Sequence, residues 1–509
     1  MGKILDDAVD SGGIDVIIQN ERDKTAPRCP HGPALLFEKT GHGEEKGRRF
    51  YACSACRDRK DCNLFQWADE KISEARMLAR EEQNRSKMPL FSHQEYSSRF
   101  RAFVSLPLEQ RRFCVDCQLL ILPEERANHA KHKALSEDTT VQRLKRPSLL
   151  LCPLDNKKSN AQYLFADRSC HFLLDMLLGL GFQNILCVGT PRLHEVIKLR
   201  NMEGKSPKMK SLLLDIDYRY CQFYGQDEFC RYNMFNHHFF DDEEAVTFFQ
   251  GFLREEGGAK VVMITDPPFG GLVKPLANSF SQMAITWKNL NKVSDAGQMP
   301  MIWIFPYFFE SRILECFPSF SMLDYQVDYD NHPLYKHGKT GRKQSPVRLF
   351  TNLSPKDIIL PEDEGYRFCS VCERYVSAGN KHCPKCDTCP SKVNAYFLFS
   401  VWNRSRLTDV YLFISQDGRE WRHCDECGRC VKPSWRHCSS CGHCALPDHP
   451  CGQSQTGCFN CGSQKHKLRA CPKKHNKRMI VPGGRGAPGL LKHIAGKSTT
   501  RNKRRRRVT

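Results

Sequence analysis

The chain has 509 residues, enough for three or four domains. Lys and Arg number 77 against 57 Asp and Glu, a formal charge of +20, and a surplus of that size favours a polyanionic partner, nucleic acid before others. The longest apolar stretch, 170–189, is interrupted by Asp175, Gln183 and Asn184, and the first residues lack the basic start and apolar centre of a secretory signal, so neither a membrane-embedded nor a secreted protein is expected.

Cysteine usage divides the chain. Of 27 cysteines, six (Cys152, Cys170, Cys187, Cys221, Cys230, Cys316) are scattered through the middle and 21 sit in clusters toward the ends, interleaved with histidine. In a reducing compartment such clusters bind metal instead of forming disulfides. The expected order is a flexible N-terminus (1–25), a zinc module (26–71), a helical linker (72–110), a second zinc module (111–135) and a central globular domain (147–355). A Cys/His-rich multi-zinc region (366–452), a zinc knuckle (456–473) and a basic disordered tail (474–509) complete it.

In the first module Cys29, His31, Cys53 and Cys62 supply four donors suited to a closed tetrahedral zinc site. Arg48, Arg49, Phe50, Tyr51, Phe65 and Trp67 alternate cations with rings, a pattern suited to phosphates and unstacked bases. The alternative is that the rings form the module's own small core. The segment resembles the GRF zinc finger, which commonly binds single-stranded nucleic acid; Cys56 is additional to that pattern and either replaces Cys53 or is free. Residues 72–87 read as a charged spacer helix. Cys114, Cys117, His129 and His132 follow with near-C2H2 spacing, expected to bind zinc and dock on the central domain without reading bases.

Within 147–355 apolar runs alternate with amphipathic stretches. Residues 170–182 read as a helix closed by Gly179 and Gly181. Residues 184–191 read as a buried strand running into a turn, 211–217 as a strand ending in acids, and 260–265 and 299–305 as two further strands. Strands alternating with helices predict an α/β fold, a mostly parallel sheet covered on both faces that binds ligands beyond the carboxyl ends of its strands. Gly189 would let a cofactor approach the main chain, and Asp215 or Asp217 could accept ribose hydroxyls; the absence of GxGxxG argues against a dinucleotide.

The third strand runs into Asp266-Pro267-Pro268-Phe269. An aromatic amine is a poor nucleophile because its lone pair is delocalised into the ring. A carboxylate and a carbonyl pinned by paired prolines can grip its two N–H groups, and Phe269 offers a flat face to the base. This resembles the (D/N)PP(F/Y/W) signature of the S-adenosylmethionine-dependent amino-methyltransferases of the adenine-N6 and cytosine-N4 type. The resemblance implies a Rossmann-like core, catalysis by Asp266, Pro267, Pro268 and Phe269, and cofactor contacts from Gly189, Thr190, Asp215 and Asp217. It also places the methionine end against Gln162, Tyr163, Leu164 and Phe165, and the adenine ring around Asn233, Met234, Phe235 and Asn236. Residues 329–346 form a long basic loop, expected either to cover the active site or to be a solvated surface loop.

Beyond 361 the clusters resume. Cys369, Cys372, His382, Cys383, Cys386 and Cys389 make one block; Cys424, Cys427, Cys430, His437, Cys438, Cys441, Cys444, His449 and Cys451 make another, their zinc pairing left open. The second has the cadence of the Cys-rich domain of DHHC palmitoyltransferases but has only one histidine at Asp448-His449-Pro450-Cys451, so acyl transfer is not expected. Residues 393–416 read as strands or a helix between the blocks. Cys458, Cys461, His466 and Cys471 have the full spacing of a CCHC knuckle, a module that clamps unpaired RNA bases. The tail ends in an arginine-rich run, 501–507, suited to RNA attraction or nuclear targeting.

As a set these modules resemble the zinc-finger rRNA adenine-N6 methyltransferases. That implies large-subunit ribosomal RNA as substrate, S-adenosylmethionine and several structural Zn²⁺ ions as cofactors, residence in nucleus, nucleolus and cytoplasm, and contacts with RNA-processing or translation-linked complexes. Two alternatives stay open: a non-catalytic RNA-binding scaffold, and a methyltransferase acting on cytosine N4 or a glutamine side chain.

Overall fold

The structure, a computed structural model, describes residues 13–18, 26–40, 45–56, 58–136, 139–154, 161–270, 272–294, 297–332, 345–390, 421–431, 434–447, 449 and 451. The expected knuckle, the tail, residues 393–416 and most of the basic loop lie outside these. The chain divides into two units, Met1–Ser434 and Trp435–Thr509.

The first unit is built on one eight-stranded sheet. Its strands are β1 (Asn184–Val188), β2 (Lys210–Asp215), β3 (Phe229–Asn233), β4 (His238–Phe239), β5 (Val261–Thr265), β6 (Met301–Pro306), β7 (Ser321–Leu323) and β8 (Val347–Thr351). Their spatial order is β4-β3-β2-β1-β5-β6-β8-β7. The five strands β3, β2, β1, β5 and β6 are parallel, while β4, β8 and β7 pair antiparallel. The strand order reverses direction at β1, between β2 and β5, where open α/β sheets form a crevice for ligands.

Every residue of β1, β5 and β6 is buried, which accounts for their unbroken apolar runs. Successive side chains go to opposite faces. Ile185, Cys187, Val262 and Ile264 meet Leu173 and Leu177 of α3 (Asp167–Gly179) and Leu193 and Ile197 of α4 (Pro191–Met202). Leu186, Val188 and Met263 meet Phe249 of α5 (Asp242–Leu253), Leu276, Phe280 and Met283 of α6 (Val273–Asn291) and Ile313 of α7 (Glu310–Cys316).

Both faces also recruit the N-terminal modules. The charged helix α1 (Glu74–Arg85) buries none of its residues, but α2 (His93–Ser105) is no free spacer: Tyr96 and Phe103 belong to the α3/α4 side of the core. The C2H2 module, a three-stranded sheet around Arg112–Cys114, joins the same side through Phe113 and Leu120; the Leu120 amide donates to Gln222 Oε1 at 2.9 Å. The GRF finger, a four-stranded antiparallel sheet, contributes Ala34, Ala55 and Leu64 to the opposite side. Its rings are mainly internal, with Phe37 stacked on Phe50 (5.4 Å) and Trp67 edge-on to Phe50 (5.8 Å). Of the two readings of that ring pattern, the small core accounts for buried Phe50, and the guanidiniums of Arg48 and Arg59 cover the half-buried Trp67 and Phe65 at 3.7 and 4.3 Å.

Beyond β8 the hairpin Tyr366–Cys369/Arg374–Ser377 is tied to this domain by Asp324, whose Oδ2 accepts from the Ser377 amide (2.6 Å) and from Asn380 Nδ2 (3.2 Å). Replacing the fully buried Phe103 by Ala is expected to cost about 3–5 kcal/mol. It would be read as a lower urea midpoint with unchanged zinc content, because α2 docks by packing and not through a metal.

Candidate active site

A cleft of about 920 Å³ opens at the carboxyl ends of β1, β2, β3 and β5 and extends between the GRF finger and α1. Its inner wall is made by Gln162, Tyr163, Gly189, Asp215, Asn233, Met234, Phe235 and 266–269; cationic Arg59, Lys60, Arg76, Arg80 and Lys87 stand on the finger and α1 side.

Gly189 has φ +67° and leaves room for nothing larger: an added Cβ would lie 2.7 Å from Met234 Cε and 3.4 Å from the Asp266 carbonyl oxygen. At the end of β2, burial first and then the neighbouring Asp217 push the Asp215 carboxyl up to about 7. The two acids are not equivalent. Asp217 is taken up by a two-pronged pair with Arg219, Nε to Oδ1 at 2.8 Å and Nη2 to Oδ2 at 2.7 Å, while Asp215 Oδ1 accepts the Asp217 amide at 2.9 Å. Thr190, also expected to bind cofactor, is buried behind Gly189 and forms no part of the cleft wall.

The (D/N)PP(F/Y/W)-like segment follows β5 directly, where the Asp266 amide donates to the Val188 carbonyl at 3.2 Å. Burial drives the Asp266 carboxyl well above the ordinary carboxylate range, and one hydrogen bond opposes it: the Tyr329 hydroxyl donates to Oδ1 at 2.9 Å. Phe269 lies 5.5 Å from Tyr163 and 5.7 Å from Tyr329, and Tyr163 lies 4.4 Å from His332, so four rings surround the carboxylate's side of the cleft. Tyr329 and His332 begin the basic loop that was expected either to cover the active site or to be a solvated surface loop; neither had an individual role assigned.

Residues 162–165 run alongside 328–331. The Ala166 amide donates to Asp328 O (2.9 Å), the Asp330 amide to Leu164 O (2.9 Å), and Asn331 bonds both Leu164 N and Gln162 O (2.8 and 2.7 Å). Gln162 and Tyr163 therefore face the cleft, while Leu164 and Phe165 are buried and outside its wall. Asn233 and Asn236 also differ from expectation: their amide groups are engaged by the finger. Asn233 Nδ2 donates to His31 O at 2.7 Å and Ser54 Oγ at 2.9 Å; Asn236 Nδ2 donates to Pro33 O at 2.8 Å and Ser54 Oγ at 3.1 Å. Met234 and Phe235 between them supply the apolar cleft surface.

The metal-ligand candidates assemble into separate sets, each with donor atoms within 4.8 Å of one another: Cys29/His31/Cys53/Cys62, Cys114/Cys117/His129/His132, Cys369/Cys372/His382/Cys389 and Cys383/Cys386/His423/Cys430. Thiol and imidazole donors in fours match the preference of structural zinc. Cys56 adjoins the first set, its amide donating to Cys53 Sγ at 3.2 Å. The two C-terminal sets interleave: His382 and Cys383 are adjacent in sequence but belong to different sets, and Cys389 returns to the first. His423 was not among the expected ligands. The signal that marks it is a repeated Lys/Arg-His-Cys triplet, at 381–383, 422–424 and 436–438. Cys424 and Cys427 lie on the hairpin Arg422–Cys424/Arg429–Val431 of the first unit. In the second unit His437 faces Cys444 across a hairpin, Cys438 Sγ lies 3.3 Å from Cys451 Sγ, and Cys441 Sγ lies 3.5 Å from His449 Nε2.

Residues 156–338 match the family described as probable N6-adenine methyltransferase, and residues 27–71 match the GRF zinc finger. The rRNA N(6)-adenosine-methyltransferase ZCCHC4 of Xenopus tropicalis is 56% identical over 499 residues, covering 97% of each chain. The proteins of that name from Homo sapiens and Xenopus laevis are 55% identical over 463 residues (91% of this chain, 85% of theirs) and 56% identical over 460 residues (90% and 89%).

If His423 completes the Cys383/Cys386/Cys430 set, His423→Ala is expected to carry about one zinc fewer per chain than the wild type, as measured by mass spectrometry of bound metal.

Proposed function

The chain belongs to the family of rRNA N6-adenosine methyltransferases, and we propose that it transfers a methyl group from S-adenosylmethionine to the exocyclic amine of an unpaired adenosine in large-subunit ribosomal RNA. One observation carries the reading: the Asp266 carboxylate, held by Tyr329, opens onto the same cleft as the Gly189 turn and Asp215. The residues fit a nucleoside cofactor, with a crevice at Gly189 that any Cβ would fill and a carboxylate at the end of β2. Gly189, Asp215, Met234, Phe235, Gln162 and Tyr163 would hold S-adenosylmethionine, which supplies an electrophilic methyl on a sulfonium. The Cys/His sets hold Zn²⁺ in a structural role.

The chain's own residues act on the amine. Asp266 accepts one N–H and the Pro267 carbonyl the other, drawing the nitrogen toward a tetrahedral form and freeing its lone pair. Phe269 and Tyr163 provide flat surfaces for a flipped base. In its ionised form the buried Asp266 carboxylate is a strong acceptor, and the Tyr329 hydroxyl aims it and favours that form against the burial that raises its pKa; these are prearranged where positive charge develops on nitrogen. The cations of the finger and α1 give the phosphates of a single strand a path to the cleft. From the arginine-rich tail and the Cys/His-rich array we further propose residence in nucleus, nucleolus and cytoplasm and contacts with RNA-processing or translation-linked complexes.

Asp266→Ala is expected to lower turnover at least about 100-fold with binding of S-adenosylhomocysteine retained. Digestion of the methylated RNA to nucleosides, followed by mass spectrometry, should show N6-methyladenosine; N4-methylcytidine, or methylated protein, would refute the assignment. Tyr329→Phe removes the bond that favours the ionised carboxyl, so the Asp266 pKa rises further. The acid limb of the pH–rate profile should therefore move to higher pH, with the loss of rate greatest at low pH.

A further inference from the structure

Resting on the methyltransferase reading, we propose that the GRF finger is a fixed wall of the S-adenosylmethionine pocket, fastened by Asn233 and Asn236 through Ser54, so that cofactor affinity depends on the finger as well as on the sheet. Cys29, Pro30 and His31 of the finger line the same cleft as Gly189, Asp215, Met234 and Phe235. This wall and the strand ends are parts of one packed core: Cys29, Ala34, Cys53, Ala55 and Leu64 cluster with Val188, Leu214, Met234 and Phe235.

The fastening is polar and buried. Asn233 is 1% exposed and Ser54 is 0% exposed, so each hydrogen bond between them replaces water that cannot return when a partner is lost. Asn233 works in two directions. Its Nδ2 holds the finger at His31 O and Ser54 Oγ, while its Oδ1 accepts the Phe235 amide at 3.0 Å and so shapes the adjoining cleft segment. Asn236 adds the Pro33 carbonyl and a second bond to Ser54. The approach is tight enough to require glycine: at Gly32, φ +90°, a Cβ would lie 2.4 Å from His238 Cδ2 and 3.3 Å from Asn236 Nδ2. Asn236 itself does not line the cleft, which makes it a positioning residue whose effect on cofactor can travel only through the finger and the segment it holds.

The test is calorimetric titration of the full chain, without RNA, using S-adenosylhomocysteine as the probe. Asn236→Ala is expected to weaken binding at least about fivefold, the lower end of ordinary coupling between sites, at unchanged zinc content. The KM for S-adenosylmethionine should rise while kcat at saturation stays within about twofold. Equal affinity in variant and wild type would overturn the inference while leaving the methyltransferase reading intact. A wild type that does not bind the probe would overturn that reading and the inference with it. Should Asn236→Ala fail to fold, Ser54→Ala removes the hydroxyl accepting from both asparagines and leaves their other bonds; a weaker but measurable loss supports the wall, and no loss refutes it.

Discussion

β1 and β5 pair in parallel register from Asn184/Val261 to Val188/Thr265, and the bond from the Asp266 amide to the Val188 carbonyl carries that alignment one residue past the strand ends. The end of β5 carries the Asp266 carboxyl and the end of β1 the Gly189 turn, and both line one cleft. Their separation is therefore fixed by the sheet ladder and needs no adjustment from loops. A parallel sheet can maintain this alignment only if both faces are dry, because its strands are buried on each side.

Keeping both faces dry explains much of the rest. Helices α3 and α4 cover one face and α5, α6 and α7 the other, but neither layer is complete alone. The C2H2 module and α2 extend the first through Phe103, Phe113 and Leu120, and the GRF finger extends the second through Ala34, Ala55 and Leu64. Small metal modules have little core of their own. Here they gain stability by sharing one that already exists, and through the GRF finger the cleft gains part of its lining.

The parts legible in the sequence are those with a local signature. Buried parallel strands are uninterrupted apolar runs, so β1, β2, β5 and β6 stand out, and the tetrapeptide 266–269 is recognisable because its chemistry lies in consecutive residues. Tyr329 was not legible: it reaches Asp266 across 63 residues by a β-bridge to Phe165 that no periodicity announces. Asn233 lies on the cleft wall and Asn236 outside it, and the bonds of both to the finger could not be read from the sequence, since a side-chain amide donating to a distant main-chain carbonyl leaves no pattern. Asp217 could not be separated from Asp215 until Arg219 was seen to claim it. His423 stands just before the first cysteine of its block, and its partners Cys383 and Cys386 belong to the block before, so spacing within one block does not reveal it.

The sharing of neighbouring residues between zinc sets has a mechanical consequence. His382 and Cys383, joined by one peptide bond, serve two centres, so the spacing between those centres is set by covalent geometry instead of by a linker. Such an array behaves as a riveted strut and not as beads on a string: a pull or twist at one centre reaches the next undamped, and an inserted residue between the two would throw both out of register at once.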